Sequence, residues 1–385
     1  MISAIGNTVG ENCMSLVNGK HGIGALTLFP TAYADKRPCG EIKITTESLR
    51  EKLHVQEPGV TRTTLLALHA FEEALSDCGW TEEQLRAHDT ALINATTVGG
   101  MCLTDELYQD AHKDSDGSEY LSSYDCGSVG IYIAHHYQIG GIVNTINTAC
   151  SSSANAIMYG ARLIENGLAK RAIVGGTDSL AKFTINGFNS LHILSPEICA
   201  PFDKQRRGLN LGEGAAFLVL EKEEDVSNRK VYAQLTGYAN ANDAFHPSSI
   251  SEQGHGPFLS MKQALSAANL SPDNIDCINA HGTGTENNDE TESRAMLRLF
   301  AKPPAFVSTK SYTGHTLGAA GAIEAVYTIL NLYNQEIYPS LHFKEAIPTT
   351  KLEPVTAYHK MQVKHAMSNS FGFGGNCTSL IFSKS

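Results

Sequence analysis

The chain has 385 residues, with 29 Lys and Arg against 40 Asp and Glu, for a net charge of −11. At 42% hydrophobic and 18% charged it is neither disordered nor fibrous, and it can fill roughly two to three domain-sized cores. The acidic balance gives no general attraction to nucleic acid or to an anionic membrane.

The opening MISAIGNTVGENC has no basic stretch followed by an apolar run, so no secretion signal is read there. Short β-branched runs then alternate with helical patterns, as in a layered α/β protein. Leu65 to Asp77 carries apolar residues at helical spacing and is stopped by Cys78-Gly79. Strands are expected over Ala91–Ala95, Ile142–Asn147, Ala172–Gly175 and Ala215–Glu221. A helix follows over Met261–Asn269, a strand over Ile275–Ala280 and a helix over Glu290–Phe300. Strands over Phe306–Thr309 and Ser379–Phe382 complete the pattern.

Residues 126 to 161 hold no Asp, Glu, Lys or Arg. The run contains too many Ser, His, Asn and Gln for a membrane span, so it reads as buried polar interior that can line a site for a greasy ligand. Internal similarity is faint but ordered. Ile93-Asn94-Ala95-Thr96 recurs as Ile278-Asn279-Ala280-His281, SSSANAI after Cys150 echoes TLGAAGAI after His315, and AAFLVLEK echoes TSLIFSK. Two similar halves are expected, 1–225 and 226–385, dividing where EEDVSNRK breaks the apolar pattern.

The cysteines at 13, 39, 78, 102, 126, 150, 199, 277 and 377 form no CxxC pair, so neither a disulfide framework nor a metal site is expected. A cytoplasmic protein with reduced thiols fits best. HExxH, P-loop and strand-linked GxGxxG motifs are absent from the sequence. The strongest local feature is INTACSSSANAIMYGARLI, where a strand ends, Cys150 follows and a small-residue helix begins. A thiol at a helix start faces partly positive N–H groups, which favours the thiolate; the alternative is a buried structural cysteine. AHGTGT places His281 at a strand end before glycines, and STKSYTGHTLGAAG places His315 before a second small-residue helix, with Lys310 nearby. One such histidine is more often a core residue, but two at matching junctions point to chemistry. NSFGFGGN, residues 369 to 376, is either a glycine loop packing two aromatics or a gate with free backbone N–H groups.

Taken together, ISAIGN, TACSSS, GGTDS, PFDKQRRGLNLGEGAAFLVLE, AHGTGTENND, TKSYTGHTLGAAGAIE and NSFGFGG resemble, in order, the motifs of the decarboxylating, elongating β-ketoacyl–acyl carrier protein synthases. The resemblance implies a thiolase-like α/β fold of two βαβαβαββ halves in an αβαβα sandwich. It implies Cys150 as the acyl-accepting nucleophile, and His281 and His315 as the pair that binds the malonyl thioester carbonyl and stabilises its enolate. The backbone N–H groups of Cys150 and Phe371 would form the oxyanion hole. Lys310 and Glu324 would be supports, and Phe371 the gate. Thr283 and Thr285 would line the phosphopantetheine tunnel, with Val98 against the acyl pocket and Phe373 also at the substrate. No cofactor is implied beyond the phosphopantetheine that the carrier brings. The implied partners are acyl carrier protein, malonyl and acyl thioesters, and a second copy or a related subunit.

Three departures stand out. Met1 lies at the edge of ISAIGN where relatives begin with a strand, which leaves the first sheet in question. Gly375-Asn376-Cys377 replaces the usual GGTN. Ser48 to Arg62 lacks a dense basic cluster for the carrier; Arg50, Lys52, Arg62, Lys204, Arg206 and Arg207 are docking candidates, or simply solvated surface. Two alternatives stay open: a non-catalytic partner subunit, and a thiolase using Cys377 as second cysteine, although the AHGTGT histidine argues against the latter. Chain length, and fatty acid against polyene or polyketide product, are open at this stage.

Overall fold

The structure, a computed structural model, describes residues 1–113, 117–226 and 229–385. Five strands and the helices beside them come first: β1 (Ile2–Ser3), α1 (Arg62–Cys78), β2 (Thr90–Ala95), α2 (Gly127–Tyr137), β3 (Val143–Ile146), α3 (Ser152–Glu165), β4 (Arg171–Asp178), α4 (Lys182–Ser190) and β5 (Gly214–Glu221). The second set is β6 (Gln234–Asn242), α5 (His255–Ala267), β7 (Cys277–Asn279), α6 (Glu286–Leu299), β8 (Ala305–Val307), α7 (Ala320–Asn334), β9 (His365–Phe371) and β10 (Asn376–Ser383).

The first sheet runs β3-β2-β4-β5-β1 and the second β8-β7-β9-β10-β6. Both repeat one pattern, in which the first three strands are parallel and the next two join antiparallel. The three sequence echoes fall on equivalent elements: β2 with β7, α3 with α7, and β5 with β10. Helices α3 and α7 pack on each other between the sheets, α1 and α2 cover the outer face of the first, and α5 backed by α6 covers the second. This is the expected αβαβα sandwich of two similar halves. Its central layer is built of small residues such as Ala154, Ala156, Ala319, Ala322 and Ala325, all buried, which let two helices fit between two sheets. The first sheet has its fifth strand after all: Ile2 pairs with Ala215 and Ser3 with Gly214. That edge strand has 2 residues where its counterpart β6 has 9.

Thr61 caps α1 by accepting the Thr64 N–H, and Gly79 closes it with φ +64°, a conformation glycine adopts without strain. Just inside the cap, Arg62 is not a docking residue. Its guanidinium meets Glu213 at 3.0 and 2.6 Å and donates to Ile42 O and Ile44 O. Glu213 in turn accepts the N–H groups of Ile42 and Leu180. With every donor engaged, Arg62 is withdrawn into the protein. The neutral run also divides. Ser151 to Ile157 are buried as expected, but Ile131 of α2 is 66% exposed, and Ile142 and Val143 at the free edge strand β3 are about a third exposed. An uncharged edge strand beside a helix that exposes Ile131, His135 and His136 is a surface arrangement, and the reading of the whole run as interior was too broad.

Removing one partner of a buried ion pair leaves a charge without compensation. Glu213→Gln is therefore expected to lower stability by about 3–5 kcal/mol in guanidinium denaturation. Lys204→Gln, at the exposed Lys204–Glu345 pair, should change it by less than ~1 kcal/mol. Equal small losses would contradict this assignment.

Candidate functional site

Beyond β3 the chain turns sharply into α3. Ala149 takes φ +53°, a left-handed conformation that a residue with a Cβ holds only when its surroundings impose it. Ser152 imposes it here: its hydroxyl oxygen accepts the Thr148 N–H at 2.9 Å while its proton goes to Ala149 O at 2.5 Å. Gly372 lies directly on this turn, where a Cβ would come within 2.7 Å of Thr148 O, so only glycine allows the approach.

Cys150 is buried at this elbow. Burial pushes its thiol up to about 11, against the opposing pulls of the Lys310 charge and the Phe373 N–H. The expected thiolate is thus overridden: a helix terminus and one cation do not offset desolvation, and the resting group is a protonated thiol. Two backbone N–H groups pull against that rise, those of Phe373 and of Cys150 itself. Gly372 N–H bonds Asn376 O at 2.7 Å, so Phe371, opposite Cys377, is a non-bonded pair of the β9–β10 ladder, and its own N–H faces away from β10. It emerges past Ser368, the last β9 residue paired to β7.

His281 follows β7, and the acidic face of α6 holds its loop from behind. Glu292 accepts the N–H groups of His281 (2.8 Å) and Gly282 (2.9 Å). Asp289 accepts those of Thr283, Gly284 and Phe202. Lys310 ion-pairs with Glu324 and donates to His281 O at 2.6 Å, with His281 Nδ1 3.3 Å away. An ammonium can only donate, so His281 Nδ1 is the acceptor and Nε2 carries the proton. His315 reaches the same tautomer by another route, since its Nδ1 accepts the Leu317 N–H at 3.3 Å. Its Nε2 is buried with no partner among the described residues. The rings stand 5.4 Å apart, nearly perpendicular. Burial holds both imidazoles well below their ordinary range, helped by the Lys310 charge, so both are neutral donors.

Cys150, His281, His315, Phe371 and Phe373 share one cavity of about 600 Å³. Thr283 and Thr285 line it further out, their hydroxyls 2.9 Å apart. Phe371 packs on His281 at 5.7 Å and Phe373 stacks on Phe188 at 5.8 Å. Lys310 and Glu324 lie behind the wall as supports. Burial raises Glu324 to about 7 even against the pull of Lys310.

Val98 does not reach this cavity. It is buried with Leu26, Leu180, Ile185 and Leu317 in a cluster that also holds Leu209, Phe188 and Ile193 of the cavity wall, and its N–H donates to Asp178 at 2.8 Å. Cys377 also stands apart, buried in β10 with its thiol on Gly375 O, so the two-cysteine arrangement of a thiolase is not assembled. Of the basic candidates, Arg206 lines the mouth but is buried and spends its guanidinium on Thr285 O, Glu286 O and Asp203 O. Arg207 and Lys204 are exposed but paired with Glu197 and Glu345, and Arg50 bonds Glu57 O and Val60 O.

The sequence reasoning missed Asp178, Asp289 and Glu292. Asp178 accepts from Thr96, Thr97, Val98 and Gly318 and so joins the two halves beside the site. Its one signal was an acid closing the strand RAIVGGTD after six uncharged residues. Asp289 and Glu292, three apart just after TGT, had the spacing of one helix face.

A duplicated αβαβα frame with a buried thiol and two neutral imidazoles at its centre defines a thiolase-like enzyme fold. Residues 1–226 match the family profile "Beta-ketoacyl synthase, N-terminal domain" and residues 232–344 match "Beta-ketoacyl synthase, C-terminal domain". The chain belongs to the β-ketoacyl synthase family. It is 32% identical over 401 residues to a 3-oxoacyl-[acyl-carrier-protein] synthase 2 from a Synechocystis strain, covering 100% of this chain and 96% of that one. A solved structure described as the ishigamide ketosynthase/chain length factor is similar at TM-score 0.93 and 29% identity, over 100% of this chain and 97% of that one. A type II polyketide synthase acyl-carrier protein in complex with its ketosynthase matches at TM-score 0.91 and 25% identity, with the same coverage.

A thiol held near 11 ionises progressively through the neutral and mildly alkaline range. Iodoacetamide alkylation of Cys150, followed by peptide mass spectrometry, should rise about tenfold per pH unit from roughly pH 7 to 9. A plateau below about pH 8 would show a stabilised thiolate instead.

Proposed function

We propose that the protein condenses a Cys150-bound acyl group with malonyl–acyl carrier protein, releasing CO2 and giving β-ketoacyl–acyl carrier protein. The observation that carries this is the pair of neutral imidazoles 5.4 Å apart beside a thiol in one cavity. Cys150 displaces the carrier thiol from an acyl thioester. The Nε2–H groups of His281 and His315 then receive the malonyl thioester oxygen. As the carboxylate leaves, charge moves onto that oxygen, where two fixed donors stabilise the transition state more than the ground state. The enolate carbon attacks the Cys150 thioester, backbone N–H groups of Cys150 and Phe371 hold the oxyanion, and collapse expels the Cys150 sulfur. Neutral histidines suit this, because an imidazolium would hand over its proton and quench the enolate.

In this reading residues 1–225 supply the nucleophile and residues 226–385 the histidines. Thr283, Thr285 and Phe373 contact the phosphopantetheine arm, and no further cofactor takes part. The free edge of β3 and the exposed Ile131 of α2 support pairing with a second copy or a related subunit. The nine unpaired cysteines support a reducing, cytoplasmic setting. No helix of the described residues is long and apolar enough to cross a membrane.

Wild type mixed with acyl- and malonyl-carrier protein should yield the β-ketoacyl product by mass spectrometry. Cys150→Ala should yield neither acyl-enzyme nor product, and His315→Ala should slow product formation about 10²–10³-fold. Product from Cys150→Ala would overturn the proposal. For the assembly, light scattering should give the mass of a two-chain particle, and Val143→Asp at the exposed edge should shift it to one chain. A monomeric wild type would exclude self-pairing.

A further inference from the structure

We propose that Asn376 is a positioning residue that registers the nucleophile's helix against the glycine loop. The inference rests on the function proposed above. Asn376 stands where the usual GGTN motif has been altered, and it serves that loop twice. Its backbone carbonyl accepts the Gly372 N–H at 2.7 Å and so closes the segment from Gly372 to Asn376. Its side-chain oxygen meets three donors, two from α3 and its cap and one from β6. The amide of Asn155, one turn into α3, donates at 2.9 Å, the amide of Asn240 on β6 donates at 2.7 Å, and the hydroxyl of Ser151 lies 2.8 Å away. Ser151 immediately follows Cys150, and its single proton is shared with Thr148 O, also at 2.8 Å.

The surrounding bonds leave little freedom in this assignment. Asn155 sends its other amide proton to Thr148 Oγ1 at 2.8 Å, and its carbonyl accepts from Thr378 Oγ1 at 2.8 Å. Asn240 likewise donates to Thr378 Oγ1 at 2.8 Å. With Asn155 and Asn240 both presenting N–H groups, only an oxygen of Asn376 can face them. The network thus fastens the residues on either side of Cys150, Thr148 and Ser151, to the strand on which the loop bearing the Phe373 N–H is anchored. Asn376 is 221 residues distant from Asn155 in the chain, so this tie also crosses between the two halves. None of its side chains lines the cavity. It acts by fixing where the sulfur lies relative to the backbone donors.

The test separates acyl transfer, which needs that alignment, from alkylation, which needs only a reachable thiol. Asn376→Ala is expected to slow single-turnover acylation of Cys150 from acyl–acyl carrier protein about tenfold, while iodoacetamide alkylation at the same pH stays within about twofold. Asn155→Ala should slow acylation similarly, and the double variant should be no slower than either single one, since both break one network. If Asn376→Ala does not fold, Asn376→Thr, which restores the residue usual in that motif but is too short to reach Asn155, should slow acylation at least about threefold. Wild-type acylation rates in the variants, equal losses of acylation and alkylation, or additive losses in the double variant would each overturn the assignment. A wild type that takes no acyl group at all would overturn the proposed function, and this inference with it.

Discussion

Desolvation sets the charge of every reacting group in this protein. The same burial that keeps the Cys150 thiol protonated keeps His281 and His315 neutral, and the cation close behind them, Lys310, is matched by Glu324 in contact with it. In water the imidazoles would be partly protonated near pH 6.5 and could acidify an enolate. Here they can only offer N–H groups. The price is a set of buried polar atoms that must be satisfied locally, which is why Asp289, Glu292 and Asp178 collect so many backbone N–H groups around the site.

The duplicated frame makes this possible. Cys150 and His315 stand at the starts of equivalent layers, before α3 and before α7, and His281 stands after β7, the counterpart of β2. Because α3 and α7 lie face to face between the sheets, the three side chains converge without long loops. Their convergence depends on close backbone approach, seen where Gly372 lies on Thr148 and where a Cβ on Gly321 would come within 2.6 Å of Ala154 N. A side chain larger than that of glycine at Gly321 or Gly372 would push these elements apart.

Much of this was legible in the sequence because local patterns coincided with the fold. The β-branched runs became β2, β4 and β5, and the small-residue helices after Cys150 and His315 became the central layer. Besides the two-residue β1, two longer strands escaped. In β9, His-Ala-Met-Ser-Asn-Ser-Phe, Ser368, Asn369 and Ser370 are buried, so a central strand does not look like one. In β6, alternating small and polar residues follow a strand edge with a bulge in its pairing. At the site, residue types and junctions pointed to Cys150, His281 and His315, but the ionisation of the thiol did not follow from its helix position, because only packing reveals how completely it is desolvated. Arg62 failed for a related reason: a buried acid, Glu213, draws it inward, and that acid is 151 residues away in the chain.

The central claim is that both imidazoles are neutral Nε2–H donors at working pH. Nitrogen-15 NMR of protein labelled at histidine, with assignment by His281→Ala and His315→Ala, measures this directly. The account predicts that the two rings keep the shifts of a neutral Nε2–H tautomer from roughly pH 6 to 9. Titration of either ring within that range, or the Nδ1–H pattern in either, would contradict it.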